Sequence, residues 1–384
     1  MFYIFLPLFT VSILLYVLFF VLTIIYKRER GSIAFDRKCY PRVSILKPIK
    51  GIDDGFEENL STFLDLDYPD YEVLIGLDNC CEGTREAVKK MCRKYPEAKV
   101  KIYNRKGFSI FNPKIEVLSM LEKHASGKLF WIADANTRVE RDTLQKLVGE
   151  YLVNGSKIVY SPIIGTGSRT FASAMENAYL NYFVSGSIIA ANSLAGQHVI
   201  VGKSMLIEKE ALQEFGGFRY FRKYLAEDFM MGKEFVDRGM SVSTNYVWVT
   251  NYVANSSILS FAKRMARWAK LRFHINPAMY VLEVLANPLG LSILALLFAG
   301  RQILPVVACV VAVKLVLEYA SLFLINTQDR KKVWVLLSYP FIILLKDLVL
   351  FFYVYFVPFV SRTVYWKGKF LTIGKYSMIV NAAG

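Results

Sequence analysis

The sequence predicts an α/β domain with a mostly parallel sheet, flanked by apolar membrane-spanning segments. Three observations predict it. Hydrophobic residues make up 54% of the 384 and the mean hydropathy is +0.33, too apolar for an ordinary soluble enzyme. The apolar excess collects in the first 26 residues and in about 276–360. Between them, residues 41–275 alternate short apolar runs with helical patterns, the βαβ rhythm of a parallel sheet. The expected layout is an anchor at 1–26, the α/β domain at 27–275, a second apolar region at 276–361 and a basic tail at 362–384.

Residues 2–26 carry no charge and are long enough to cross a bilayer core of about 30 Å. They lack a basic leader and a small-residue cleavage site, so they read as a retained anchor. Lys27, Arg28 and Arg30 follow, which by the positive-inside rule puts the central domain on the cytoplasmic side. Three more apolar stretches are expected at 278–300, 303–325 and 333–360. Lys346 and Asp347 sit inside the last one. Either the two neutralise each other in one crossing, or the stretch is two halves broken near Pro340 and Lys346. The basic tail, with Arg362, Lys367 and Lys369, favours a C-terminus on the inside.

Within the domain, strands are expected at 42–47, 71–77, 99–103 and 128–133, and helices at 55–64, 83–95, 114–124 and 141–153. No G-x-G-x-x-G follows a strand and no G-x-x-x-x-G-K-[ST] is present, which argues against a Rossmann dinucleotide site and a P-loop. Formal charge is +15, from 47 basic and 32 acidic residues. Without a nucleic-acid-binding motif, a membrane surface and a diphosphate ligand explain this excess better than DNA or RNA does. Cys39, Cys80, Cys81, Cys92 and Cys309 lack zinc-ligand spacing and read as free thiols in a reducing compartment.

Open α/β sheets bind ligands beyond the carboxyl ends of their strands. Here two strands run into acids, Asp78 and Asp134. One such acid is commonly a turn or cap residue, but two in one tethered domain suggest a nucleotide-sugar site. Such a site must stabilise a leaving diphosphate and deprotonate an attacking hydroxyl. Asp78 suits a uracil N–H. Asp134, with the Asn136 carbonyl two residues on, offers oxygen ligands for Mg²⁺ or Mn²⁺. Asp228, beside Glu227 at a helix start, reads either as a charge complementing the helix dipole or as the general base. Arg264 and Arg267 share a helix face. They read as a diphosphate clamp or as part of a basic membrane-surface helix, and Trp268 packs beside a sugar or anchors that helix.

The order Asp78, Asp134, Asp228 and Arg264-x-x-Arg267-Trp268 resembles the D, D, D, (Q/R)xxRW pattern of lipid-directed inverting transferases with the GT-A fold. Residues 43–51 (VSILKPIKG), 66–74 (LDYPDYEVL), 112–115 (NPKI), 226–233 and 237–239 are similar to ceramide glucosyltransferases. The resemblance covers about 41–275. It implies UDP-glucose as donor, the primary hydroxyl of ceramide as acceptor, and inversion at the anomeric carbon. Carried over, Asp78 contacts uridine, Asp134 the metal–diphosphate and Asp228 is the base. Arg264, Arg267 and Trp268 then close the site, with Lys114 and Glu227 as substrate contacts. The implied place is a Golgi or ER membrane in a eukaryote, or the inner membrane in a bacterium.

Two departures stand out: Asp134-Ala135-Asn136 replaces Asp-x-Asp, and residues 79–82 (NCCE) lack further aspartates. Lys47 and Lys50 read equally as surface or functional lysines. Residues 176–199 read as a core or interfacial helix, or as lining a route for the lipid headgroup; His198 reads chiefly as a structural hydrogen-bonding residue. Two rival readings remain, transfer of N-acetylglucosamine from its UDP derivative to a hopanoid, and a non-catalytic membrane protein with a degenerate transferase domain.

Overall fold

The computed structural model describes residues 2–28, 40–366 and 369–383. Arg30, Cys39 and Lys367 lie outside them. The chain divides into two compact units, and each is described by itself.

The first unit comprises residues 29–163 and 194–252. Its strands in chain order are β1 (Val43–Ile49), β2 (Tyr71–Asp78), β3 (Val100–Arg105), β4 (Leu129–Ile132) and β5 (Thr137–Arg138). After them come β6 (Ile158–Tyr160), β7 (Ile163–Thr166), of which only Ile163 falls in this unit, β8 (Met205–Glu208), β9 (Val242–Thr244) and β10 (Val249–Tyr252). Among the described residues, seven of these form one sheet in the order β3-β2-β1-β4-β8-β6-β9. β8 runs antiparallel to both its neighbours; the other four pairings are parallel. The mostly parallel sheet is therefore as expected, with one reversed strand inserted.

Side-chain alternation dresses both faces. Val73, Ile75 and Leu77 of β2 join Val43, Ile45 and Ile49 of β1 in a core with Phe63, Val88, Leu144 and Val148, drawn from helices Phe56–Leu64, Glu82–Lys94 and Thr143–Asn154. Gly76 faces the other way, against Val117 of helix Pro113–Glu122. Lys47 falls on the core face of β1 and is 1% exposed, which corrects the surface reading. Its ammonium lies 3.5 Å from the Phe63 ring centroid and donates to the Asp134 carbonyl at 3.0 Å.

The second unit comprises residues 1–28, 164–193 and 253–384. Residues 164–193 and 253–275, expected within the α/β domain, cluster with the apolar helices instead. Tyr182 shows why: its ring stacks on Tyr16 at 4.3 Å and its hydroxyl donates to the Tyr16 carbonyl at 2.8 Å. Among the described residues three helical segments, Tyr3–Arg28, Pro288–Leu324 and Val333–Val360, are long and apolar enough to cross a membrane. Gly300, at φ 68°, separates helices Pro288–Ala299 and Leu304–Leu324. Helix Val333–Val349 runs unbroken through Pro340 and Lys346, so of the two arrangements expected for this stretch the broken one is not observed. Lys346 and Asp347 do approach each other, at 3.3 Å, but their stronger partners lie on the preceding helix. Lys346 meets Glu318 at 2.8 Å and Asp347 meets Lys314 at 2.8 Å. Two acids and two lysines thus cancel among apolar helices. The described residues of the basic tail form three antiparallel strands at Thr363–Trp366, Lys369–Ile373 and Ile379–Ala383. Among the described residues Cys80, Cys81, Cys92 and Cys309 are free thiols, as expected.

Candidate active site

The site grows out of one antiparallel pairing. β4 ends at Ile132, whose register partner is Met205, the first residue of β8. Asp134 lies two residues beyond the end of β4, and Lys203 two before the start of β8. Pairing the strands brings the two together, with Lys203 Nζ 2.9 Å from Asp134 Oδ2. The same ammonium donates to Asn136 Oδ1 at 2.8 Å, so Lys203 bridges the two residues expected to hold a metal. The backbone there is pinned. Trp131 Nε1 donates to Ser204 Oγ at 3.0 Å, and Thr137 Oγ1 donates to the Lys203 carbonyl at 3.2 Å.

Lys114 enters from the opposite side. Asn112 caps helix Pro113–Glu122, its side-chain oxygen accepting from the Lys114 N–H at 2.9 Å, with Pro113 in the first turn. The Asn112 amide donates to Glu227 Oε2 at 2.9 Å, tying this corner to the start of helix Glu227–Asp237. Lys114 Nζ then lies 3.0 Å from Asp134 Oδ1 and 3.0 Å from Glu227 Oε1, and donates to the Gly202 carbonyl at 3.3 Å. Asp228 accepts from the Gly202 N–H at 2.6 Å and from the Phe229 N–H at 2.8 Å. A side chain at Gly202 would have its Cβ 2.8 Å from Lys114 Nζ and 3.0 Å from Asp228 Oδ2, so only glycine lets these two groups approach this turn.

The structure thus gathers Lys114, Asp134, Asn136, Glu227 and Asp228 into one network. Gly202 and Lys203 complete it and were not foreseen. The only signal for them is Gly202-Lys203-Ser204 after an apolar run, and the spacing from Gly196 does not make a P-loop. Asp78 sits at the end of β2, 4% exposed, with its own cations: Arg105 at 2.6 Å and Lys50 at 3.9 Å. His198 stands edge-on to Tyr160.

The electrostatics separate the two central acids. Against the burial that raises it, Lys114 and Lys203 hold the Asp134 carboxyl well below the usual carboxylate range. Burial, then the neighbouring Glu227 charge, push Asp228 up to about 6, with Lys114 opposing. Against its own burial, Asp134, Glu227 and Asp228 hold the Lys114 ammonium above the usual lysine range. Burial pulls Lys47 down to about 7. One acid is therefore held toward its charged form and the other toward exchanging a proton near neutrality, the separation acid–base catalysis needs.

Asp134 and Asn136 are a poor seat for a divalent cation as they stand. Both Asp134 oxygens face ammonium groups, and the Asn136 oxygen faces one of the same two. Mg²⁺ and Mn²⁺ favour several oxygen donors, yet no group of three His, Cys, Asp or Glu among the described residues is arranged to hold a metal. Unit charges about 4 Å apart interact by about 4 kcal/mol near a protein surface, so a dication beside two ammoniums begins from a large repulsion.

Arg264, Arg267 and Trp268 lie on helix Ile258–Ile275 of the helical unit. Arg264 forms an ion pair with Glu176, which is 1% exposed. Arg267 lies over the Trp366 ring at 6.0 Å, and Trp268 is half-buried. Four residues on, Arg272 makes two 2.6 Å bonds to Glu283.

The acids and lysines gather where the parallel strands of this open α/β sheet end, which is where such sheets bind their ligands. The chain belongs to glycosyl transferase family 21, whose sequence profile matches residues 8–379, and it is a glycosyltransferase. It is 27% identical over 335 residues to ceramide glucosyltransferase 3 of Caenorhabditis elegans, a match covering 86% of this chain and 72% of that one. Ceramide glucosyltransferase 1 of the same organism is 27% identical over 64% of this chain and 53% of its own. A ceramide glucosyltransferase of Komagataella phaffii is 24% identical over 61% and 57% respectively. The chain therefore spans little more than half the length of the last two. Among solved structures, it is similar to a mannosyltransferase of Pyrobaculum calidifontis in complex with GDP-Man and Mn²⁺, with TM-score 0.47, 18% identity and coverage of 90% and 98%.

Proposed function

We propose that this chain transfers glucose from UDP-glucose to the primary hydroxyl of ceramide, with inversion, at a membrane surface. The observation that carries the reading is Asp228: a carboxylate held by the Gly202 N–H, poised at about 6, beside a lysine–aspartate pair able to face a diphosphate. Family membership and the names of its relatives supply the substrate class.

In the proposed step the acceptor oxygen attacks the anomeric carbon from the side opposite the diphosphate. The new carbon–oxygen bond forms as the bond to the β-phosphate oxygen breaks, and that oxygen keeps the electron pair. Asp228 accepts the hydroxyl proton. Asp78 binds the uracil. The apolar helices hold the enzyme at the bilayer, with the α/β unit on the cytoplasmic side.

The test is an incubation of membranes containing the chain with UDP-glucose or UDP-N-acetylglucosamine, against ceramide or a hopanoid. Glucosylceramide as the sole labelled product supports the reading. Label in the hopanoid alone, from the N-acetylglucosamine donor, replaces it with the rival transfer.

A further inference from the structure

We propose that Lys203 is the diphosphate-binding cation of this site and does at Asp134 and Asn136 the work expected of a divalent metal. The inference rests on the nucleotide-sugar reading above and goes further by naming the group that meets the leaving charge.

The N–H groups of the two lysines are unequally used. An ammonium has three. Lys114 spends all of its own on Asp134 Oδ1, Glu227 Oε1 and the Gly202 carbonyl. Its role is to organise the acids, and it has no N–H left for a donor phosphate, contrary to the substrate contact the resemblance implies. Lys203 spends two, on Asp134 Oδ2 and Asn136 Oδ1. Its third has no protein acceptor among the described residues. The side chain is 16% exposed and that of Asp134 27%, so the group is walled by protein yet open on one side. A lysine in such a place binds phosphate as a point charge.

The sequence departure has the same explanation. A second carboxylate at position 136 would strengthen a dication seat. An amide there gives Lys203 a neutral acceptor instead, and the Asn136 Nδ2 is in turn fixed by Asn251 Oδ1 at 3.0 Å. Asp134 then acts as the counter-ion that aims Lys203. When the sugar–phosphate bond breaks, the β-phosphate oxygen gains one negative charge. The Lys203 N–H meets that charge by hydrogen bonding, and the lysine gives up no proton.

The test is UDP binding to the purified full-length chain in detergent, by calorimetry, with EDTA and then with Mg²⁺ or Mn²⁺. Similar affinity in both buffers is expected. Lys203→Met should weaken UDP about tenfold or more, the reach of a lost charged hydrogen bond, and Lys203→Arg should restore most of it. Thermal unfolding of each variant separates lost binding from lost fold, and the wild-type comparison needs no variant at all. UDP binding that disappears in EDTA overturns the proposal, as does an unchanged affinity in folded Lys203→Met. If UDP binds in neither buffer, the nucleotide-sugar reading falls with it; binding that requires metal sinks the lysine proposal alone.

Discussion

Gly202 donates its backbone N–H to the Asp228 carboxylate at 2.6 Å while its carbonyl accepts from Lys114 at 3.3 Å. One peptide turn therefore sets the distance between the candidate base and the lysine that organises the acids. Gly202→Ala inserts a Cβ 2.8 Å from Lys114 Nζ and 3.0 Å from Asp228 Oδ2, and one of them must move. Displacements of about 1 Å near a reacting centre cost on the order of 10² in rate. Steady-state kinetics should show such a loss in kcat, with the melting temperature nearly unchanged. A fully active alanine variant would remove Gly202 from the site.

The raised Asp228 carboxyl predicts a pH profile. A base works only when ionised, and burial beside Glu227 moves that ionisation up to about 6. The kcat/KM should climb about tenfold per pH unit below 6 and level off above it, because this parameter reports the free enzyme. An inflection near the ordinary aspartate range, about 4, would mean that the proton goes elsewhere.

The buried charges of the apolar helices predict a stability effect unrelated to catalysis. Glu318 accepts from both Lys314 and Lys346. Glu318→Gln leaves two lysines facing Asp347 alone, an uncompensated buried charge worth about 3–5 kcal/mol of destabilisation. Adding Lys346→Met restores neutrality, so the double variant should unfold at a higher temperature in detergent than Glu318→Gln by itself. Additive losses would show that the four groups do not act as one network.

Much of the first sheet was readable in advance. The expected strands and helices between 42 and 154 lie within one or two residues of the observed ones, because period-2 runs alternate cleanly with helical ones and Asn112-Pro113 marks a helix start. Asp134 is marked by a strand end and Lys114 by a family motif, and nothing in the sequence links the two. Lys203 was out of reach, since its place depends on the register of Ile132 with Met205, seventy-odd residues on in the chain and antiparallel. Lys47 shows a second limit: a lysine inside a strand gives no hint that Phe63 will roof it. Lys346 and Asp347 show a third, because their main partners lie a helix away at Glu318 and Lys314. The basic tail concealed its three strands for a simpler reason, with Val364, Leu371 and Ile373 too thinly spaced among charges to read as a core.

The most direct measurement is mass spectrometry of the lipids of cells that make this chain, set beside cells that make Asp228→Asn. Hexosylceramide is expected in the first and a drop of about two or more decades in the second, the reach of a general base, with both proteins present in the membrane fraction. Equal product from Asp228→Asn, or no hexosylceramide from either, would contradict it.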